Sequence, residues 1–563
     1  MQGEWGYAPM ATSNYSWGTA ALFESDCWAP PPTTVDVCPY PTTKQGSAEF
    51  FERTSTMLSD AFTHAKSVGV QSCVGTETPL SKPAPADERA AAPSTQDFYE
   101  GMFTRLKKKV PALDWYWIWT PEGWEWGHMN AQNKIFSDAI DDLTAAMAAH
   151  DKVNPELKMA TNGWVVGPLP DRSIFDKELP TTWDAITSID LNTGHSPVDP
   201  SYKNVTRHKK WAIPWMEDDP DLSAPQLWVN RTLEHMEDAK AYGCNGLLGI
   251  HWRTHAVGPQ IAAMGQKSWN FELTSEDFWA DWAKASFGAA AAPEIAPIFE
   301  SVDSFLMPLV VSWAGGPGKM HADPKACGLK DSKFAFVAKL KAAGAKVSGE
   351  ANKARFDYWL ATFQYMLAVS DTNCAWAEFE AAMKDKTAAK SKGLPARIAL
   401  VKNATAMISQ LQQTLTNVGE LGTYMNIESH SLLEALDTKA LEQALGEPLP
   451  DAAMPPKTYS SDMSGRLIIP TVRTTADKGS KLPLRALVLA ASPCESVTIM
   501  IQKLGQGQEQ TAVPMTKVAR EVYSVELPEQ SADFEYYVSA VCGTEKLVFP
   551  AGAPAIQQSV VLL

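Results

Sequence analysis

The sequence predicts an α/β protein: a (β/α)8-type (TIM) barrel, N-terminally incomplete, then an α-helical domain and a C-terminal β-sandwich. Three observations carry this expectation. Over residues 1–273, short apolar runs alternate with amphipathic helical segments, the pattern of a parallel sheet with crossover helices. From 274 to 446 the apolar spacing is helical throughout. Past a Pro-rich linker at 447–457, "EPLPDAAMPPK", residues 458–563 alternate at period two in short runs, the signature of an immunoglobulin-like or fibronectin-like sandwich.

The barrel elements follow in order. "GYAPMATSNYSWG" is taken as strand two, and strand one is missing, so the natural start is expected to lie upstream of Met1. Phe51, Met57, Leu58, Ala61, Phe62 and Ala65 recur at helical spacing. "SCVGTE" is strand three and ends in Glu77; the Pro/Ala-rich stretch 81–96 after it reads as a loop at the barrel mouth. Phe98, Met102 and Leu106 mark a helix with a basic end, where cations complement the helix dipole. "WYWIWTPE" is strand four. Ile135, Ile140, Leu143 and Met147 mark the next helix. "KMATNGW", "AITSIDL" and "WAIPWME" are strands five to seven. "APQLWVNRTLEHMEDAKAYG" is a helix stopped at Gly243, and "GLLGIHW" is strand eight. A doubly wound open sheet is the alternative, but its Gly-rich phosphate loop is absent.

The helical stretch opens with "SEDFWADWAKASFG", capped by Ser275 and stopped at Gly288. Longer runs such as "ANKARFDYWLATFQYMLAVSDTNCAWAEFEAAMKD" follow. The sandwich strands include "LRALVLAA", "SVTIMIQ", "EVYSVELP" and "DFEYYVSAVC". None of these strands carries a tryptophan, which favours bracing over sugar binding.

Composition limits the partners. The chain of 563 residues carries a net charge of −16, which disfavours nucleic acid and anionic membranes. No apolar run is long enough for a membrane span. No secretory signal is visible at Met1. The eight cysteines and the sequons at Asn14, Asn204, Asn230 and Asn403 nevertheless suit an extracellular or secretory-pathway protein. Cys27 with Cys38, Cys327 with Cys374 and Cys494 with Cys542 are compatible with disulfides, leaving Cys73 and Cys244 as buried thiols at strand ends. Eight reduced thiols are the alternative.

In a β/α barrel, chemistry sits at the C-terminal strand ends. Strand three ends in Glu77, and strand four in Glu122 followed by Glu125. Strand five ends in Asn162 and Trp164, and strand six in Asp190 and His195. Strand seven ends in Glu217 and Asp218, and strand eight in His251, Trp252 and Arg253. A ring of carboxylates fits glycosidic-bond cleavage, which needs an acid for the leaving oxygen and a second carboxylate as nucleophile or base. Glu122, among Trp119, Trp124 and Trp126, suits the acid, because desolvation keeps a carboxyl protonated. Glu217, in a more polar setting, suits the ionised partner. Glu77, Glu125, Asp190 and Asp218 are further catalytic or substrate-binding candidates. Trp124, Trp126, Asn162, Trp164, His195, His251, Trp252 and Arg253 are expected to bind the carbohydrate. Period-two alternation assigns Trp115 and Trp117 to the core. No metal or cofactor is expected: His251 and His255 lack the helical His-Glu-x-x-His arrangement, and no phosphate loop or nucleophile elbow is present.

"DWYWIWTPEGWEW", "PWMEDDPDLSAPQLWVNRT", "GCNGLLGIHWRT" and "DFWADWAKASFG" together resemble barrel glycoside hydrolases, in style the α-glucuronidase-like and β-hexosaminidase-like groups, over about residues 60–400. The resemblance implies that Glu122 is the acid and that Asp190 or Glu217 is the base or nucleophile. Two departures limit it. Pro121 stands where such barrels usually carry Asn, and the hexosaminidase Asp-Glu pair is missing. Arg253 suggests a fork for a uronate carboxylate. The competing expectation is a carbohydrate-binding protein, without catalysis, on a degenerate barrel.

Overall fold

The computed structural model describes residues 44–77, 94–120, 134–161, 173–189, 198, 200–214, 216–217, 226–251, 255–303, 320–416, 420, 432, 435–454, 464–470, 472–505, 510–518 and 522–563. The chain divides into two compact units. One is built mainly of Pro39–Glu217 and Trp228–Leu273, the other mainly of Thr274–Leu563.

The first unit alternates strands and helices. Its elements are α1 (Lys44–Ser67), β1 (Cys73–Glu77), α2 (Thr95–Lys109), β2 (Trp115–Trp119), α3 (Lys134–Val153), β3 (Lys158–Thr161), α4 (Ile174–Glu178), β4 (Ala185–Ile189), β5 (Lys209–Ile213), α5 (Val229–Ala241), β6 (Gly246–Leu247) and α6 (Gly258–Trp269). Each strand pairs in parallel with the next, in the unbroken order β1-β2-β3-β4-β5-β6. These are the expected strands three to eight. A doubly wound sheet reverses its strand order at a switch point, and this one does not. With right-handed crossovers, an unreversed order puts every connecting helix on one face. The segment expected to supply strand two lies outside the described residues, as do Cys27 and Cys38.

Alternation along β2 separates the two faces. Tyr116 and Ile118 are fully buried against Met102, Phe103, Leu143 and Met147 of α2 and α3. Trp115, Trp117 and Trp119 point the other way and are only half-buried. Of the two tryptophans expected in the core, Trp117 packs against a small apolar cluster on that face and Trp115 lies against Trp211, while the larger core is on the helix side.

The tryptophan face is concave. Neighbouring strands lie about 4.8 Å apart, so β2 and β5 would be separated by about 14 Å in a flat sheet. Yet the rings of Trp115 on β2 and Trp211 on β5 are 4.7 Å apart. The indole N–H of Trp117 donates to Thr187 Oγ1 on β4, two strands away, at 3.2 Å. Side chains stand roughly upright on a strand, so such contacts require the sheet to curl. The sheet is a half-barrel trough.

Polar side chains brace its outer layer. Asp176, in α4, accepts from the backbone N–H groups of Thr206, Arg207 and His208 and pairs with the His208 ring at 2.8 Å. Burial opposes the Asp176 charge, but these hydrogen bonds outweigh it and hold the carboxyl below its ordinary range. Lys210 reaches from β5 to the carbonyls of Tyr202 and Val205.

The second unit begins with α7 (Ser275–Phe287), α8 (Ala292–Val302), α9 (Ala335–Ala343), α10 (Glu350–Met383), α11 (Leu394–Gln412) and α12 (Lys439–Leu445). Thr274, not Ser275, caps α7: its hydroxyl accepts from the Asp277 N–H at 3.1 Å. Either hydroxyl could serve by sequence, and the backbone places Ser275 inside the first turn. Rings of Trp282, Phe299, Trp359 and Phe363 pack these helices at centroid separations of 4.9 to 5.8 Å. Arg397 is wholly buried and donates to the carbonyls of Ala435, Leu436 and Ala453. It thereby ties α11 to the Pro-rich segment, where Leu449 and Ala453 are themselves buried.

Among the described residues ten strands follow: β7 (Arg466–Ile468), β8 (Thr475–Ala476), β9 (Leu482–Leu489), β10 (Cys494–Lys503), β11 (Thr511–Pro514), β12 (Thr516–Lys517), β13 (Val522–Leu527), β14 (Phe534–Cys542), β15 (Glu545–Phe549) and β16 (Gln558–Leu562). They form a six-stranded and a four-stranded sheet, antiparallel apart from the β8–β16 pair. Leu484 and Val488 of β9 share one apolar cluster with Ile499 of β10 and Tyr536 of β14, so both sheets bury a face in the same core.

Two expected disulfides are present, Cys327–Cys374 and Cys494–Cys542, and the second joins partners in register across β10 and β14. Cys73 and Cys244 are free, but neither is fully buried: Cys73 is exposed and Cys244 half-buried. Cys73 begins β1 at the outer edge of the described sheet, where no further described strand covers it.

Candidate active site

A parallel sheet sends all its C-terminal ends to one edge. Here that edge is defined by Glu77, Trp119, Thr161, Ile189, Ile213 and Leu247. Glu77 is in register with Trp119, and Ile189 with Ile213. The candidates of the sequence leave from this edge: Asn162 follows Thr161 directly, Asp190 follows Ile189, and Glu217 and His251 come four residues after their strands. Glu122, Trp124, Glu125, Trp126, Asn162, Trp164, Asp190, His195, Asp218, Trp252 and Arg253 lie outside the described residues. For Glu77 only its place as the last residue of β1 is described.

Glu217 is described, and it is completely buried. The β5–β6 pairing continues past the regular strands to reach it. Leu248 N–H donates to Ala212 O, Ile250 N–H to Pro214 O, and Met216 N–H to Ile250 O at 3.0 Å. Alternation along this extension puts Met216 on the helix side with Ala212, and Glu217 on the trough side with Trp211 and Ile213. Ile213 and Trp228 form an apolar cluster there, with Trp117, Trp119 and Ile250 packed against them. Glu217 thus lies four residues beyond Ile213, the strand end that packs with Trp117, Trp119 and Trp228.

Two residues that the sequence did not single out belong to this corner. Trp228 reads as part of an amphipathic helix, yet it precedes α5 and faces the trough cluster. The Arg231 guanidinium stacks over its ring at 4.2 Å from the centroid. Gln260, in the first turn of α6, is wholly buried and donates to Met216 O at 3.3 Å. Nothing local in "GPQIAAM" marks Gln260 as part of the site; the contact exists only in three dimensions.

His251 is half-buried, and its Nδ1 has no hydrogen-bond partner among the described residues. It directly follows Ile250, which packs against the trough cluster. Deeper in α5, His235 is 2 % exposed and its Nε2 has no partner among the described residues. Burial, reinforced by Arg231 one turn away, pushes its imidazole down to about 3, so it is neutral near pH 7.

Among the described residues, Cys327, Cys374 and Glu378 are the one grouping of metal-ligand type, and both sulfurs are spent in a disulfide. No helix among the described residues is long and apolar enough to cross a membrane.

No protein-family profile matches the chain, and no curated protein matches it. Two of the solved structures that it is similar to are glycoside hydrolases. One is a family GH115 4-O-methyl-α-glucuronidase with specificity for decorated arabinogalactans: TM-score 0.42, 12% identity, 86% of this chain and 71% of that one covered. Another is a GH138 enzyme targeting pectin rhamnogalacturonan II: TM-score 0.38, 9% identity, 89% of this chain and 76% of that one covered. At this distance the likeness says nothing of activity or substrate.

Proposed function

We propose that this protein is a glycoside hydrolase that cleaves glycosidic bonds in a poly- or oligosaccharide by carboxylate catalysis. One observation carries the reading: a fully buried glutamate, Glu217, at the C-terminal edge of a curled parallel sheet, four residues beyond Ile213, which packs with Trp117, Trp119 and Trp228. A buried carboxyl must be hydrogen-bonded or paired where it sits, and such groups concentrate at functional sites. Indole faces in the trough at this edge suit the CH faces of a sugar ring.

In this reading Glu122 protonates the leaving oxygen, and Glu217 acts as nucleophile or as the base that activates water. Glu77, Glu125, Asp190 and Asp218 are the further acidic candidates. Trp124, Trp126, Asn162, Trp164, His195, His251, Trp252 and Arg253 are proposed to hold the sugar. Arg253 is assigned to a uronate carboxylate, within an α-glucuronidase-like or β-hexosaminidase-like grouping. The six strands are taken as part of a closed barrel, and the two C-terminal sheets as a sandwich. Disulfides form and persist in oxidising compartments, which supports the secretory pathway or the cell exterior as its location.

The test is turnover of a panel of 4-nitrophenyl glycosides, uronosides included, by wild type, Glu122→Gln and Glu217→Gln. Both variants are expected to lose about a thousandfold or more in kcat, the scale seen when a catalytic group is removed. Wild-type turnover in Glu217→Gln would refute its role. Glycan binding without turnover in any of the proteins would favour the non-catalytic alternative. Turnover of neutral glycosides but of no uronoside would remove the role given to Arg253. In a crystal structure, carboxyls about 5–5.5 Å apart predict retention of configuration, and about 6.5–9.5 Å inversion.

A further inference from the structure

We infer that Gln260 is a positioning residue for Glu217, acting through the backbone of Met216; the inference rests on the proposed catalytic role of Glu217. Met216 is held from every side. Its N–H donates to Ile250 O at 3.0 Å, and its carbonyl accepts from Gln260 Nε2 at 3.3 Å. Its side chain runs under Gly249, where an added Cβ would lie 2.7 Å from Met216 Cε. Met216 is 1% exposed and Gln260 0%. Met216, which leads into Glu217, is therefore fixed at its N–H by Ile250, at its carbonyl by Gln260 of α6, and along its side chain by a glycine that permits close approach.

The glutamine is in an unusual place for this duty. It is the third residue of α6, where a Gln side chain commonly folds back to the N-cap of its own helix. Here the amide instead reaches a neighbouring segment. A backbone carbonyl has a second lone pair that a packing residue would leave unused; the amide hydrogen bond fixes its direction. Since Glu217 begins at that carbonyl carbon, a rotation of the peptide would swing the carboxyl along the trough wall. A misplacement of about 1 Å at a reacting group costs on the order of a hundredfold in rate.

The experiment compares wild type, Gln260→Met, Gln260→Glu and Glu217→Gln on 4-nitrophenyl glycosides across pH. Gln260→Met keeps the volume and removes the donor. It is expected to lower kcat by about tenfold or more with KM little changed. Gln260→Glu can donate to the Met216 carbonyl only when protonated. Its rate relative to wild type should therefore rise toward low pH, while that of Gln260→Met stays flat. A packing role would produce no such rescue. Turnover lost in Glu217→Gln but kept at wild-type kcat in Gln260→Met overturns the positioning alone. Turnover that survives Glu217→Gln overturns the catalytic reading, and this inference with it. Crystal structures of wild type and Gln260→Met give a second measurement independent of turnover: a shifted Glu217 carboxylate supports the inference, and an unmoved one overturns it.

Discussion

Acid should loosen the first unit through one residue, His235. Its imidazole lies 2% exposed in α5, without a partner for Nε2 among the described residues and one turn from the Arg231 guanidinium. Burial and that neighbour push it down to about 3, against 6.5 for a free imidazole. Between these values the unfolded chain binds a proton and the folded chain does not. Stability is therefore lost as pH falls from 6.5 toward 3. Between pH 7 and pH 4.5 the loss from this group alone is about 2.5 kcal/mol, from about 1.4 kcal/mol per unit below the unfolded value. The assay is urea unfolding followed by tryptophan fluorescence, for wild type and His235→Gln, at both pH values. The glutamine variant starts less stable, having lost a packed ring, but its stability should fall about 2.5 kcal/mol less over the same interval. Parallel losses in the two proteins would refute the reasoning, since His235 would then contribute nothing to the acid sensitivity.

Two further predictions concern the second unit. Arg397→Met strands three carbonyls and should cost about 3–5 kcal/mol, seen as a lower denaturant midpoint; Arg397→Lys should recover only part, because an ammonium lacks the planar fork. Replacing Cys494 and Cys542 together by alanine frees a chain segment with a sequence separation of 48, which in the chain-entropy picture costs about 4 kcal/mol. A midpoint unchanged by reductant in the wild type would contradict it.

Much of the chain was legible before folding. The parallel strands announced themselves as apolar runs between helices, and their order along the sheet is their order in the chain. The alternation in "WYWIW" separated the tryptophans from Tyr116 and Ile118, as the side-chain period of a strand requires. Cys494 and Cys542 were readable as a pair because they bracket a β-rich segment whose strands meet in register. The cap of α7 was misread by one residue, because Thr274 and Ser275 carry equivalent hydroxyls and only the backbone turn distinguishes them.

The sequence by itself determined the element order, the strand faces and the edge from which Glu217 leaves, because these follow from local periodicity and from the direction of parallel strands. Only the tertiary structure decided which strand face meets the helices and which forms the trough, since alternation creates two faces without naming their coverings. It alone brought Trp115 to Trp211 across three strands, set Trp228 beside Trp117 and Trp119, and laid Gln260 under the peptide before Glu217. Those contacts join residues 44 to 111 positions apart. They depend on sheet curvature and on how helices seat against it, and no window of neighbouring residues encodes either.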